Sequence, residues 1–599
     1  MTNFRTGRRE VSWQTGGVDY NSAGRECGEA ALRSGPFTMI RPVVPALAGA
    51  ALALCAVAAH AEFDPSREYV ETPAVAARYP DPALPIATPA LAPGRADFTH
   101  QDELMAFVGG VAARSRDARL AIAGRSQERR EIPVLVFARP AGGAGGEFVR
   151  NGKPTVLILG QQHGNEPAGG EAALALAAEL ATPGGAAILD RVNVVIVPRA
   201  NPDGAEHFVR GLANGADVNR DHLLAATPEG RALAQVFVAF QPDVVLDCHE
   251  FGVKLRWYEK FGALQRYDAL IQYATVGNLP PALTDASERW FREPLVRALA
   301  DAGLTQSWYY TSSYDTKDRV VSMGGVSPDT GRNIAGLRNA VSFLIETRGV
   351  GIGRAHFKRR VHTHLVAMHQ ILASTALHAD DVVTLGRRLR LDVASAAGTG
   401  TVVVAGSPTA TRHTLDLVDP ASGEDRAVEV DWRSALEIRP RLARSRPYGY
   451  VLPASEAAAA ARLAALGATV LVLSAALDVD GERYRITRAQ EARKDDVRRN
   501  DEDTPPANIV QLATETEPAR IVAHAGDFYV PLDQPLANVI VAALEPDTQS
   551  SYAANRLLTL PPLPLQEGAA PAGLPLYRVR AQPVVAAAVW QPRDASAVP

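Results

Sequence analysis

The chain has 599 residues, which exceeds one ordinary domain, and its content of 47% hydrophobic and 21% charged residues is typical of a globular protein. With 62 basic and 66 acidic residues the formal net charge is −4, so composition gives no sign of a nucleic-acid partner.

The first 61 residues are expected to lie outside the fold. Residues 1–38 are polar and Gly-rich without periodicity, and we interpret them as a disordered start-site artefact. Residues 39–61 carry Arg41, an apolar run and the small-residue site Ala59-His60-Ala61, a pattern typical of a secretory signal peptide. A membrane anchor is the alternative, but the run is near the short limit for spanning a bilayer. We therefore expect a periplasmic or secreted protein with no stable membrane span after cleavage.

Residues 62–97 are rich in Pro and Ala and predict an extended lead-in, and residues 98–380 predict one α/β domain. Continuous apolar runs predict buried strands, and helical patterns separate them, which indicates a mixed, mainly parallel sheet with helices on both faces. The predicted elements are a hairpin at 118–125 and 131–138, strands at 156–159, 194–197, 243–249 and 341–346, and helices at 170–180, 228–240, 291–302 and 355–376.

From about residue 381 the pattern changes, and residues 381–599 predict a β-rich accessory domain. Short alternating runs predict strands at 388–393, 401–405 and 413–418, whereas the Ala-rich stretch 455–466 predicts a helix. The densely charged segment 491–506 predicts a mobile loop.

Chemistry-bearing side chains follow the ends of three predicted strands. His163 and Glu166 lie in the turn after the first strand, His249 ends the third, and Glu346 ends the fourth. Parallel sheets bind ligands beyond the carboxyl ends of their strands. Zinc accepts both imidazole and carboxylate ligands. The sequence therefore predicts a metal site at this edge of the sheet.

Two further stretches add to this pattern: Asn-Pro-Asp-Gly at 201–204, and Arg210 followed by Asp-Val-Asn-Arg at 217–220. With His163-x-x-Glu166, His249 and Glu346 in this order, residues 100–380 resemble the zinc metallocarboxypeptidase family. The resemblance implies one Zn²⁺ per chain, bound by His163, Glu166 and His249 with a site left open for water.

The same resemblance implies roles for the other motif residues. Glu346 would be the general base that takes the water proton, and Arg210 would stabilise the developing oxyanion. Asn219 and Arg220 would hold the free C-terminal carboxylate of a peptide substrate, since a guanidinium matches a carboxylate. The expected function is a zinc carboxypeptidase that acts on peptides or cell-wall peptides.

Several alternatives stay open. Glu346 could instead pair with Arg348, and Asp247 could either orient a ligand or lie on the surface. A catalytic tyrosine typical of the family could be Tyr310 or Tyr314. The histidines at 356, 362, 364, 369 and 378 are interpreted as surface or core residues. Alternative functions are a zinc amidohydrolase that removes acyl groups from amino acids and a non-catalytic peptide-binding protein on the same fold.

Overall fold

The computed structural model describes residues 63–139, 151–313, 315–495, 507–563 and 573–591. The start-site artefact and the signal peptide predicted within residues 1–61 lie outside these ranges, as does Tyr314. Of the predicted mobile loop at 491–506, residues 491–495 are described, and 491–493 form the end of a strand rather than a loop.

The first part of the chain alternates strands with helices. Its strands are β1 (Ala118–Arg125), β2 (Glu131–Phe137), β3 (Thr155–Leu159), β4 (Asn193–Val197), β5 (Val244–Gly252), β6 (Leu264–Gln265), β7 (Ala269–Tyr273), β8 (Gln306–Trp308), β9 (Thr311–Ser312), β10 (Val320–Ser322) and β11 (Val341–Val350). Its helices are α1 (Pro73–Ala76), α2 (Gln101–Arg114), α3 (Pro167–Leu180), α4 (Ala186–Leu189), α5 (Pro202–Glu206), α6 (Pro228–Phe240), α7 (Leu255–Phe261), α8 (Pro281–Ala286), α9 (Glu293–Asp301), α10 (Gly331–Leu337) and α11 (Phe357–Leu377).

A sheet with the strand order β1-β2-β4-β3-β5-β11-β7-β8 forms the centre of this part. The neighbours β4, β3, β5 and β11 run parallel, and the hairpin β1–β2 extends the sheet antiparallel. The continuous apolar runs that predicted the central strands are buried along their whole length in β3 and β4. The predicted mixed, mainly parallel sheet is confirmed.

Helices cover both faces of this sheet. Successive side chains along each strand point to opposite faces, so each strand contributes apolar residues to both. Val156 and Ile158 of β3 point into a core built with α3 and α11. Leu157 and Leu159 point to the opposite face, against α6 and α10. Thr227 caps α6 by accepting a hydrogen bond from Gly230 N at 3.0 Å.

The second part is β-rich, as predicted. Its strands are β12 (Thr401–Val418), β13 (Asp425–Ser445), β14 (Gly449–Leu452), β15 (Leu471–Leu473), β16 (Leu477–Arg493), β17 (Asn508–Ala523), β18 (Phe528–Pro531), β19 (Gly573–Val579) and β20 (Ala587–Val589). Its helices are α12 (Ala379–Ser395), α13 (Ala457–Ala465) and α14 (Ala537–Leu544).

One strand prediction is wrong. Residues 388–393 lie inside α12 rather than in a strand. Their short alternation is part of a longer helical pattern, in which Val382, Gly386, Leu389 and Val393 form the buried face. This helix also crosses residue 380, where we predicted a domain boundary; the division of the chain into domains stays a prediction.

The two parts share a sheet with the order β6-β12-β13-β10-β9. Val320 to Ser322 of β10 pair in parallel with Asp431 to Arg433 of β13, and β12 pairs antiparallel with β6. The lead-in also joins the two parts, because Thr72 donates to Pro420 O at 2.9 Å. The C-terminal region is therefore built into the first part by backbone hydrogen bonds.

Within the described ranges, no individual helix has both the length and the apolar character needed to cross a bilayer. A bent pair formed by residues 167–180 and 183–189 meets those criteria only when its two helices are taken together.

Candidate metal centre and cavity

The turn between β3 and α3 places two side chains at one point. Glu166 occupies the N-cap position of α3 and Pro167 the first helical position, so the helix begins directly after His163-Gly-Asn-Glu166. Gly164 lies against the Asn-Pro-Asp-Gly turn: a Cβ on Gly164 would be 1.9 Å from the carbonyl carbon of Gly204. The two motifs found in the sequence are thus in direct backbone contact.

His163, Glu166 and His249 come together as predicted. Glu166 Oε1 lies 2.8 Å from His163 Nδ1, and Glu166 Oε2 lies 2.9 Å from His249 Nδ1. The three ligand atoms fall within 4.8 Å of one another, and all three residues are at most 2% exposed. Two imidazoles and one carboxylate are a donor set found in catalytic zinc sites. The cluster therefore fits a zinc ion.

Each imidazole has a carboxylate behind its other ring nitrogen. His163 Nε2 lies 3.0 Å from Asp217 Oδ1, and His249 Nε2 lies 2.8 Å from Asp247 Oδ1. Such partners fix the ring orientation and tautomer of metal-binding histidines. Asp247 is fully buried and also accepts a 2.5 Å hydrogen bond from Gln162 Nε2. Of its two alternative interpretations, the surface carboxylate is wrong.

The charged groups of the cluster shift one another's pKa values. Burial opposes ionisation of Glu166, but His163 and His249 outweigh it and hold the pKa of this carboxyl well below its usual range. Burial likewise disfavours a charged His249, but Asp247 and Glu166 raise its pKa well above the usual value. The carboxylates thus surround the imidazoles with negative potential, which favours a cation at this position.

Arg210 is held beside the cluster by the Asn-Pro-Asp-Gly turn. Asn201 Nδ2 donates to Gly211 O at 3.0 Å and to Arg210 O at 3.3 Å, which fixes the backbone at Arg210. The Arg210 guanidinium donates to Asp217 Oδ2 at 2.8 Å and to Glu166 Oε1 at 3.1 Å. The positive charge of Arg210 is therefore paired with two carboxylates at the metal cluster.

Glu346 lies next to the cluster on the adjacent strand. In the β5–β11 pairing Glu346 is the register partner of His249, and it is 3% exposed. The Arg348 side chain, by contrast, donates to Glu71 Oε1 at 2.5 Å and to Gln265 O at 3.0 Å. The partner of Arg348 is thus Glu71 of the lead-in, and not Glu346 as the alternative interpretation had it.

A cavity of about 340 Å³ opens at the cluster. The predicted residues His163, Arg210, Asn219, Arg220 and Glu346 all line it. Residues of the C-terminal region complete its wall, among them Val404, Gly406, Pro408, Lys494, Asp495, Gln549 and Ser550. The cavity is therefore formed jointly by both parts of the chain.

Asn219 and Arg220 occupy the same rim of this cavity. Asn219 Oδ1 accepts a 2.7 Å hydrogen bond from Gly331 N, and Asn219 Nδ2 lies 3.1 Å from His249 Nε2. Arg220 Nη1 donates to Asn219 O at 2.9 Å. This short 3-10 turn is started by Asp217, whose side chain accepts from Asn219 N at 2.8 Å.

The sequence interpretation missed three residues of the site. Asp217 stands inside the quoted Asp-x-Asn-Arg motif but was given no role. Tyr309 lines the cavity, whereas its neighbour Tyr310 is buried against Trp257 and lines a smaller cavity of about 60 Å³ on the other side of Glu346. Lys494 reaches the cavity from the end of β16, and no local pattern marks it.

Residues 104–252 match the family described as zinc carboxypeptidase (Peptidase_M14). This stretch contains His163, Glu166, Arg210, Asn219 and His249. The predicted resemblance is therefore confirmed, and zinc is the metal named by the family description.

The chain is 30% identical over 335 residues to carboxypeptidase 2 of Trichophyton rubrum, covering 55% of this chain and 61% of that protein. It is 29% identical over 433 residues to carboxypeptidase 2 of Trichophyton equinum, covering 72% of this chain and 78% of the relative. A solved metallo-carboxypeptidase from Burkholderia cenocepacia is 20% identical to this chain, with a TM-score of 0.34. The match covers 47% of this chain and 70% of the Burkholderia chain. The chain thus spans less than two thirds of the length of the first of these relatives.

Proposed function

We propose that this chain, whose residues 104–252 match the zinc carboxypeptidase family, is a zinc-dependent carboxypeptidase that hydrolyses the last peptide bond of a peptide. One observation carries the proposal: a buried cluster of two imidazoles and one carboxylate faces a cavity of about 340 Å³ that Glu346, Arg210 and Arg220 also line. A buried donor cluster with an adjacent substrate-sized cavity is what a hydrolytic metal site needs.

His163, Glu166 and His249 would hold the zinc ion. Bound there, zinc supplies Lewis acidity for the scissile carbonyl and for an attacking water. Asp217 and Asp247 would keep the two imidazoles in the tautomer that presents Nδ1 to the metal, since each contacts the opposite ring nitrogen.

Glu346 would act as the general base. Its carboxylate would take a proton from the attacking water and give it to the leaving amine, a role for which its position beside His249 suits it. Arg210 would stabilise the negative charge that develops on the carbonyl oxygen. Because Asp217 and Glu166 already hold its guanidinium, little reorganisation would be needed.

Asn219 and Arg220 would bind the free carboxylate at the end of the peptide. A guanidinium matches a carboxylate in shape and charge. The walls from both parts of the chain close the cavity around this rim. Such a site would accept a chain end in preference to an internal peptide bond.

We also propose that the enzyme acts outside the cytoplasm, on the strength of the signal-peptide pattern at 39–61. The substrates would then be extracellular peptides or peptides derived from the cell wall.

The test uses the full chain and its Glu346→Gln variant, each assayed for zinc and incubated with a mixed peptide library and with N-acyl amino acids. We expect one zinc per chain in both proteins and, in the unaltered protein alone, loss of single residues from peptide C-termini by mass spectrometry. Cleavage of N-acyl amino acids without cleavage of peptides would overturn the proposal in favour of the amidohydrolase. Bound zinc and bound peptide without any hydrolysis would favour the non-catalytic binding protein.

A further inference from the structure

Among the described residues, one buried arginine of the cavity wall has no acidic partner. Arg332, in the first turn of α10, is 4% exposed and lines the cavity beside Arg220 and Tyr309. In the part of the chain that the structure describes, no carboxylate oxygen lies within 4.0 Å of its guanidinium, and its Nε has no hydrogen-bond partner. The one hydrogen bond seen for it is donated by Nη2 to Gly325 O at 2.9 Å.

The fold holds this cation in place. Gly324 has a φ of +77°, and a Cβ on it would lie 2.9 Å from Arg332 Nη2 and 2.8 Å from Tyr309 Cε1. Only a glycine leaves room there for both the guanidinium and the ring. The guanidinium lies 5.8 Å from the centre of the Tyr309 ring, which stabilises a cation weakly compared with a carboxylate.

Two other cations of the cavity, Arg210 and Lys494, are already paired with carboxylates. Asp217 and Glu166 accept from Arg210, and Asp329 forms a buried ion pair with Lys494. Burial lowers the pKa of Arg332, the direction expected for a guanidinium without a partner. A buried charge without a partner is costly, so the site is incomplete until an anion arrives.

On the basis of the proposed function, we propose that Arg332 binds the carboxylate side chain of the substrate's last residue, so that the enzyme prefers peptides ending in aspartate, glutamate or another residue with an acidic side chain. Such a residue carries two carboxylates. Arg220 and Arg332 present two guanidiniums to the same cavity. In this assignment Arg220 takes the terminal carboxylate and Arg332 takes the side chain.

The kinetic test compares acetylated dipeptides that end in Glu, in its neutral isostere Gln, and in Leu. We expect the unaltered enzyme to favour the Glu peptide over the Gln peptide by roughly 10- to 100-fold in kcat/KM, the range for a hydrogen bond to a charged group. In Arg332→Gln this ratio should approach one, because cleavage of the Glu peptide should fall far more than cleavage of the Gln peptide. Arg332→Lys should retain part of the preference.

The matched control is Arg338→Gln. Arg338 is the C-cap residue of the same helix, α10. It donates to Leu466 O at 2.7 Å and does not line the cavity. Its loss should cost stability without changing the Glu-to-Gln ratio. A preference for the Gln or Leu peptide in the unaltered enzyme would overturn the inference. An equal loss on all three peptides in Arg332→Gln would also overturn it, because Arg332 would then hold the terminal carboxylate.

A binding measurement separates this inference from the proposed function. Calorimetric titration of the Glu346→Gln protein with the Glu and Gln dipeptides needs no catalysis. Tighter binding of the Glu peptide that disappears in the Glu346→Gln/Arg332→Gln protein supports the inference even if hydrolysis is never seen. Equal affinities for both peptides would reject it, whether or not the enzyme proves to be a carboxypeptidase.

Discussion

Glu346 and His249 are register partners on the adjacent parallel strands β11 and β5. Paired positions on neighbouring strands direct their side chains to the same face of a sheet. The pairing thus fixes Glu346 beside the metal-binding cluster while leaving it outside the set of three ligand atoms. Catalysis and metal binding can therefore be separated by substitution.

Glu346→Gln should strongly reduce turnover and retain zinc. An amide cannot accept the water proton, and general-base catalysis contributes about 10²–10⁴-fold to rate. We expect kcat to fall by that amount, with the zinc content by atomic absorption unchanged. Loss of zinc in this variant, or activity close to that of the unaltered enzyme, would contradict the role given to Glu346.

Asp217→Asn should weaken zinc binding. The substitution removes the charge that orients His163 and pairs with Arg210, and loss of such an outer partner costs about 10- to 100-fold in metal affinity. Competition with a chromogenic chelator measures the change. The control Asp190→Asn alters an exposed carboxylate that belongs neither to the cluster nor to the cavity lining, and it should leave zinc affinity as it is. Equal affinities in both variants would show that Asp217 does not support the site.

Gly164→Ala and Gly109→Ala should shift stability in opposite directions. A methyl group at Gly164 would meet the Gly204 backbone at 1.9 Å, which should cost at least about 3 kcal/mol of unfolding free energy. At Gly109, within α2, nothing lies within 4 Å, so alanine should add about 0.5–1 kcal/mol. Urea unfolding measures both. A tolerated Gly164→Ala would mean that the two turns can move apart.

The ion pair between Lys494 and Asp329 should stabilise the joined parts of the chain. Lys494→Met leaves a fully buried Asp329 with Ser550 as its remaining side-chain partner, and loss of one member of a buried pair costs about 3–5 kcal/mol. The double variant Asp329→Asn/Lys494→Met removes the unpaired charge as well and should recover part of that loss. Strictly additive effects in a double-mutant cycle would rule out the coupling.

Acid should destabilise the metal-free protein partly through His222. Burial lowers the pKa of His222 to about 4, against about 6.5 for an exposed histidine. At pH values between about 4 and 6.5, His222 binds a proton in the unfolded chain but not in the folded chain. Stability therefore falls as the pH drops from about 6.5 to 4, by up to about 3 kcal/mol from this residue.

The variant His222→Gln should show a shallower loss over that interval in urea unfolding with chelator present. His413→Gln, a change at an exposed histidine of β12, serves as the control. Identical pH dependence in the unaltered protein and His222→Gln would show that His222 does not contribute.

The metal cluster could be predicted from sequence because each of its parts has a local signal. An apolar run followed by Gly160 indicates the end of a buried strand, and Pro167 indicates the start of the next helix. The turn between them then has few ways to direct His163 and Glu166. The same reasoning placed His249 and Glu346 at the ends of their strands, but β5 continues past His249 to Gly252 and β11 past Glu346 to Val350.

The cavity wall could not be predicted, because it depends on pairing between distant segments. Val320 pairs with Asp431, and this shared sheet brings residues 404–408 and Lys494 to the site. Strand pairing over such separations leaves no periodic pattern in either segment. For the same reason the unpaired charge of Arg332 became apparent only once its neighbours were known.

The shared sheet also sets an order in time. The metal-binding residues and Glu346 all precede residue 347, whereas the wall residues from the C-terminal region lie between 404 and 550. During synthesis, all residues of the metal cluster are therefore made before β12 and β13, which pair with the edges of β6 and β10. The growing chain acquires the residues of the metal cluster first and the cavity wall last.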